Sequence, residues 1–201
     1  MPFDRQGSPV FPAAVAAALL ALAPHVSAQN PAVDVLHYRV EITLAPEGEA
    51  IGALAELTVR PVGTSLPSLR LDFSGLTLDG VTLNGKRVHY ERVHDRLTIT
   101  TNRRNADPFR VAVRYHGKPK DGLLLRANKY GDPAAFADNW PNRARFWIPS
   151  IDHPTDKATV EFIVTARAAY DVIANGTLIS TTTLPNGMKR THWREATAIP
   201  R

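Results

Sequence analysis

Apolar and polar residues alternate along most of the chain beyond its first 30 positions. In LHYRVEITL, Leu36, Tyr38, Val40, Ile42 and Leu44 fall on one side, and His37, Arg39, Glu41 and Thr43 on the other. A period of two is the signature of a strand with one buried face. It recurs at Ile51, Ala53, Ala55, Leu57 and Val59, at Leu69, Leu71 and Phe73, and at Phe109, Val111, Val113 and Tyr115. Asn84-Gly85 and Asn186-Gly187 separate strand-like runs, and both residue types accept the positive φ of tight hairpin turns. Asn175-Gly176 is expected to turn a strand YDVIA into a second strand TLIST. No window after the first 28 residues holds a helical period. Short strands with Gly, Pro and Asn turns and no intervening helices predict an all-β fold, an antiparallel β-sandwich.

The first 28 residues stand apart from this pattern. Arg5 precedes the apolar run VFPAAVAAALLALA, and Val26-Ser27-Ala28 supplies small residues of the kind a signal peptidase reads. Residues 1–28 are therefore read as a signal peptide, leaving one domain over 29–201 in a periplasmic or extracellular compartment. The run is short for a membrane span, which takes about 20 apolar residues, and no other long apolar stretch follows. Export permits disulfides, yet the sequence has no cysteine. Stability then rests on burial, and thiolate metal sites and cysteine nucleophiles are excluded. The formal net charge of +5 is spread over Arg103-Arg104, Lys118, Lys120, Arg143 and Arg145 rather than gathered in a stripe, which argues against a nucleic-acid partner.

Several residue groups resemble chemical sites at first sight. HYERVH, from His89 to His94, lacks the i, i+4 histidine spacing of a zinc helix. On a strand, residues five apart point to opposite faces, so these two histidines read as a solvated pair. Asp152, His153 and Asp156 lie between Pro149 and Pro154, with Ser150 nearby. No strained turn presents that serine as a nucleophile, and the segment reads as a stiff elbow in which an aspartate accepts backbone N–H groups. Asn175-Gly176-Thr177 matches a glycosylation acceptor as well as a turn. Trp140, Trp147 and Trp193 could stack on sugars, but burial as core or loop anchors is expected for at least two of them. Residues 116–143 form the one long irregular connection, where function tends to sit on a sheet scaffold.

The order of these pieces resembles a known family. DVLHYRVEITL, IGALAELTV, LRLDFSGLTLDGVTLNGK, FRVAVRYHGKPKDGLLL, NWPNRARFWIPSIDHPTDKATVEFIVTA, YDVIANGTLIS and THWREATAIP are similar, in sequence order, to the saddle-like N-terminal β domain of zinc aminopeptidases of the aminopeptidase N and leukotriene hydrolase family. Arg145, Pro149, Asp152, Pro154, Lys157, Ala158 and Thr159 stand where that family's elbow motif places the same residue types. His153 replaces the usual glutamate, and Ser150 the usual cysteine.

In the family, peptide hydrolysis belongs to a following thermolysin-like domain that holds zinc. The present sequence contains no His-Glu-x-x-His, and neither Met1 nor Met188 is followed by the Glu-Asn of the family's amine-recognition strand. The resemblance therefore implies a noncatalytic domain, incomplete at its C-terminal end, with no cofactor of its own and no peptidase activity alone. Its partners would be the missing catalytic domain and a peptide substrate. Relatives place a polar residue from the segment before the elbow near the substrate N-terminus. Counting back from Arg145 brings Asp138 to that position, with Asn139 adjacent, as candidate substrate-binding residues. The competing reading is a stand-alone exported β-sandwich that binds carbohydrate or a protein partner. An independent module would finish its sheet, whereas THWREATAIPR is expected to leave an unpaired edge.

Overall fold

A computed structural model describes residues 32–45 and 49–200; the expected signal peptide, residues 1–28, lies outside them. The chain forms β1 (Val33–Leu44), β2 (Ile51–Pro61), β3 (Leu66–Asp72), β4 (Thr77–Leu83), β5 (Lys86–Arg87), β6 (Tyr90–Val93) and β7 (Arg96–Arg103). There follow β8 (Phe109–Gly117), β9 (Leu123–Ala127), β10 (Pro133–Ala137), a single 3-10 turn at Ala144–Phe146, β11 (Ala158–Arg167), β12 (Thr177–Thr183) and β13 (Met188–Ile199). The fold is all-β, as the alternation implies.

An eight-stranded sheet runs β12-β13-β11-β1-β2-β8-β4-β5, beside a three-stranded sheet β3-β7-β6 and the hairpin β9-β10. All pairings are antiparallel except one, because β1 and β11 run parallel, with Val40 opposite Phe162. The antiparallel expectation is corrected there: a crossover of more than a hundred residues, carrying the small sheet and the elbow, returns the chain in the same direction. Side chains from the eight-stranded sheet (Tyr38, Val40, Leu57, Val113, Tyr115) and the small sheet (Leu69, Leu71, Leu97, Ile99) join one buried hydrophobic cluster. Burying one such aliphatic side chain contributes about 1.5–3 kcal/mol. The rings of Phe73 and Tyr115 meet edge-to-face within it, their centroids 4.9 Å apart.

Three local expectations change. A bulge between Val35 and His37 resets the phase of β1, so Val35 rather than Leu36 enters the core; an extra residue in one strand moves the inward positions by one. Residues 170–174 are irregular rather than a strand, since the ladder with β13 starts only at Thr177, and Ile173 is 84% exposed. The open edge is β12, not the last strand: β13 is paired on both sides. The turns fall as expected at Asn84-Gly85 and Asn186-Gly187, all four residues having positive φ.

On the face of the large sheet away from the core, register sets charges side by side. The Arg39 Nη1 donates to Glu56 Oε2 at 2.8 Å and its Nε lies 3.9 Å from Glu161 Oε2. Glu161 also accepts from Arg194 Nε at 2.7 Å and lies 3.1 Å from His192 Nε2. Burial alone would raise the Glu161 carboxyl, but the bonds and charge of Arg194, with His192 behind them, hold it below the usual range.

Candidate functional site

The long connection between β8 and the elbow is a braced structure. It opens at Asp121-Gly122, where Gly122 has φ +74° and a Cβ in its place would sit 2.1 Å from the Arg143 carbonyl oxygen. Only glycine allows that approach. The hairpin β9-β10 follows, and the chain then returns to Gly122, whose carbonyl accepts the Asp138 N–H at 2.7 Å.

Asp138 and Asn139 stand together at this return, both half-buried. The Asp138 Oδ2 accepts from Arg143 Nη2 at 2.5 Å, and its Oδ1 takes the Trp140 N–H at 3.3 Å. Asn139 Oδ1 accepts the Trp147 indole N–H at 2.9 Å, and its carbonyl accepts the Arg143 N–H at 2.8 Å. Arg143 Nε closes the loop on the Trp140 carbonyl at 2.7 Å. Arg143 thus ties the loop together, while Asp138 Oδ1, with one long bond, keeps acceptor capacity for a ligand donor. The Trp140 ring, 78% exposed, projects from the same turn. Gly122 and the Arg143 anchor escaped the sequence reading. The Asp-Gly pair was a visible turn signal, but nothing in sequence showed what would approach it.

Of the two other tryptophans, Trp147 is the core anchor expected. Trp147 is 5% exposed and stacks on Phe162 at 6.1 Å; Trp193 is half-buried on β13.

The elbow is tied to the small sheet. Asp72 and Ser150 exchange backbone hydrogen bonds of 2.7 and 3.1 Å, and the Asp72 carboxylate accepts the Asp152 N–H at 3.2 Å. Asp152 is buried, and its Oδ2 accepts both the Nε and the N–H of Arg145, at 2.8 and 3.3 Å. Burial raises this carboxyl above the usual range, Arg145 opposes the shift, and Asp72 adds to it. Tyr38 Oη accepts the Ile151 N–H at 3.1 Å and donates to Asp156 at 3.4 Å. The aspartates therefore point to different partners. The local turn bond is made by the His153 ring, which accepts the Thr155 N–H. Ser150 Oγ donates to the Ile148 carbonyl at 3.3 Å, away from any base. His94 occupies a hairpin turn at φ +52°, and His89 lies 3.5 Å from Glu91. Among the described residues no three His, Asp or Glu side chains gather to hold a metal ion, so a zinc ion does not fit them.

These features define an all-β scaffold domain with a braced surface loop and a buried elbow. The model of the Peptidase M1 N-terminal domain matches residues 35–200, and the chain belongs to that family. The M1 zinc metallopeptidase of Deinococcus radiodurans superposes with TM-score 0.73 at 26% identity, over 84% of this chain and 40% of that one. Legionella pneumophila aminopeptidase A gives TM-score 0.73 at 25% identity, over 84% and 20%. Leukotriene A4 hydrolase of Saccharomyces cerevisiae shares the fold, with TM-score 0.70 at 21% identity, over 84% and 27%. The chain thus spans well under half of the length of these structures. A search of curated proteins gave no match.

Proposed function

We propose that the chain is the noncatalytic N-terminal domain of an exported zinc-dependent aminopeptidase, walling the substrate cleft and helping restrict entry to free peptide N-termini. The observation that carries this reading is the family match over residues 35–200 together with coverage of only 40% of the Deinococcus enzyme. That enzyme has also been captured with the peptide Tyr-Ser-Ala as substrate. Zinc and the hydrolytic groups belong, in this reading, to a catalytic domain that the described residues do not supply. Asp138 is proposed to face the α-ammonium of the peptide through Oδ1, with Arg143 fixing its direction and Asn139 pinning the loop to Trp147.

The test is the size and location of the native protein, probed with an antibody against residues 142–162 in fractionated host cells. A zinc-dependent aminopeptidase activity that co-purifies with an exported species well above 22.0 kDa is the expected result. An exported species at or below that mass, with no such activity, would overturn the proposal.

A further inference from the structure

The outer face of the large sheet carries a groove of about 670 Å³, floored by β2, β8 and β4 and closed by the Asn84-Gly85 turn. Register explains its shape. Glu56, Ala112 and Thr82 lie in one row across the three strands, and Thr58 lies opposite Arg110 in the next. The single methyl of Ala112 leaves the middle of the row low, while longer side chains stand at both ends.

The groove is lined by polar and apolar groups in similar measure, and its polar groups are largely unused. The hydroxyls of Thr58 and Thr82 make no hydrogen bond, and the guanidinium of Arg110 makes no ion pair, with any described residue. The backbone beneath Arg110 is fixed: Asn84 N–H donates to the Arg110 carbonyl at 2.8 Å, and Arg110 N–H donates to Asn84 Oδ1 at 2.9 Å. The Asn84 amide nitrogen is left as a free donor into the groove. Arg87 stands across from Thr82 on β5 and has no acidic partner among the described residues. Glu56, the acidic member, shares the single charge of Arg39 with Glu41 and Glu161. Among the lining residues Arg110 is thus a cation with no ion-pair partner among the described residues, and Glu56 still offers an acceptor oxygen.

We propose that this groove binds an acidic oligosaccharide, with Arg110 holding a uronate-type carboxylate and Thr58, Thr82, Asn84 and Glu56 exchanging hydrogen bonds with ring hydroxyls. A planar guanidinium matches a carboxylate in a two-bond fork. Several separate hydroxyl, amide and carboxylate groups suit a ligand with many hydroxyls better than a compact ion. A peptide could not add here as a further strand, because the backbone of β2 and β8 is already paired on both sides. The volume lies in the range of small-molecule sites, about 300–1,000 Å³, enough for two or three sugar rings. The groove shares no residue with the Asp138 loop.

The probe is trigalacturonate, titrated into the purified chain and followed by calorimetry, with maltotriose as the neutral counterpart. Saturable binding of the acidic sugar is expected, about tenfold tighter than that of maltotriose. Arg110→Gln should weaken it about tenfold, as expected for loss of one charged fork, and Thr82→Trp should abolish it by filling the floor. Arg114→Gln, four residues further along β8 on the same exposed face, should leave it within twofold and serves as the folding and net-charge control. Absence of saturation, or equal binding by wild type and Arg110→Gln, would overturn the assignment. Displacement by inorganic phosphate at the same concentration as sugar would show a site for anions in general and would overturn the saccharide reading.

Discussion

Gly122→Ala gives the sharpest test of how the candidate loop is held. The residue sits at φ +74°, and a methyl in its place would lie 2.1 Å from the Arg143 carbonyl oxygen and 2.9 Å from Trp147 Cδ1. Two costs combine. The left-handed backbone alone costs an alanine about 1–2 kcal/mol. Relieving an overlap with backbone, which cannot rotate away, costs about 1–3 kcal/mol more. The expected loss is therefore about 2–5 kcal/mol, a large share of the total for a domain of this size. Gly85→Ala supplies the internal control, since Gly85 has φ +82° with nothing within 4 Å and carries only the first cost. Urea unfolding of both variants, followed by tryptophan fluorescence, gives the two differences directly. If Gly122→Ala is no more destabilising than Gly85→Ala to within about 0.5 kcal/mol, a common error in such comparisons, the loop is not anchored through this approach.

Two further outcomes follow from buried groups. Tyr115 donates to the Trp147 carbonyl at 2.7 Å, and burial raises its phenol far above the ordinary range, so it stays a donor throughout the accessible pH range. Tyr115→Phe should cost about 1–3 kcal/mol by stranding that carbonyl, and an effect below this in urea unfolding would mean that the carbonyl finds another donor. Glu161 titrates below its ordinary value in the fold, so its contribution is complete above about pH 4.5 and is lost as pH falls through the lower folded value. Glu161→Gln should accordingly flatten the acid side of the stability profile, and parallel profiles for wild type and variant would refute the coupling.

The strands were legible because burial on one face imposes a period that any local window can display, as β2 does from Ile51 to Val59. Turns were legible where conformation demands a residue type, as at Asn84-Gly85. Features set by partners distant in sequence were not. The parallel contact of β1 with β11 joins His37 to Thr159, and no local pattern encodes which strand lies beside which. The charge row of Arg39, Glu56, Glu161 and Arg194 exists only once that register is fixed. The Leu36 bulge was hidden for the opposite reason: Val35 and Leu36 are both apolar, so the alternation reads equally well in either phase.

The elbow and the loop before it show the same limit from the side of function. Asp152, His153 and Asp156 look catalytic in sequence because they are close together, whereas the fold turns each toward a different partner. Asp152 takes Arg145, His153 takes Thr155, and Asp156 takes Tyr38 of β1, 118 residues earlier in the chain. Asp138 and Asn139 were singled out only by the family resemblance, and they lie where the chain folds back on Gly122, with Arg143 bonded to both. A carboxylate directed by a guanidinium, on a loop whose return path admits only glycine, has its direction set before any ligand arrives. Less conformational freedom is then lost on binding. The proposed cleft-wall role would draw on that economy, and the informative residues of this segment are accordingly its anchors rather than its densest cluster of acids.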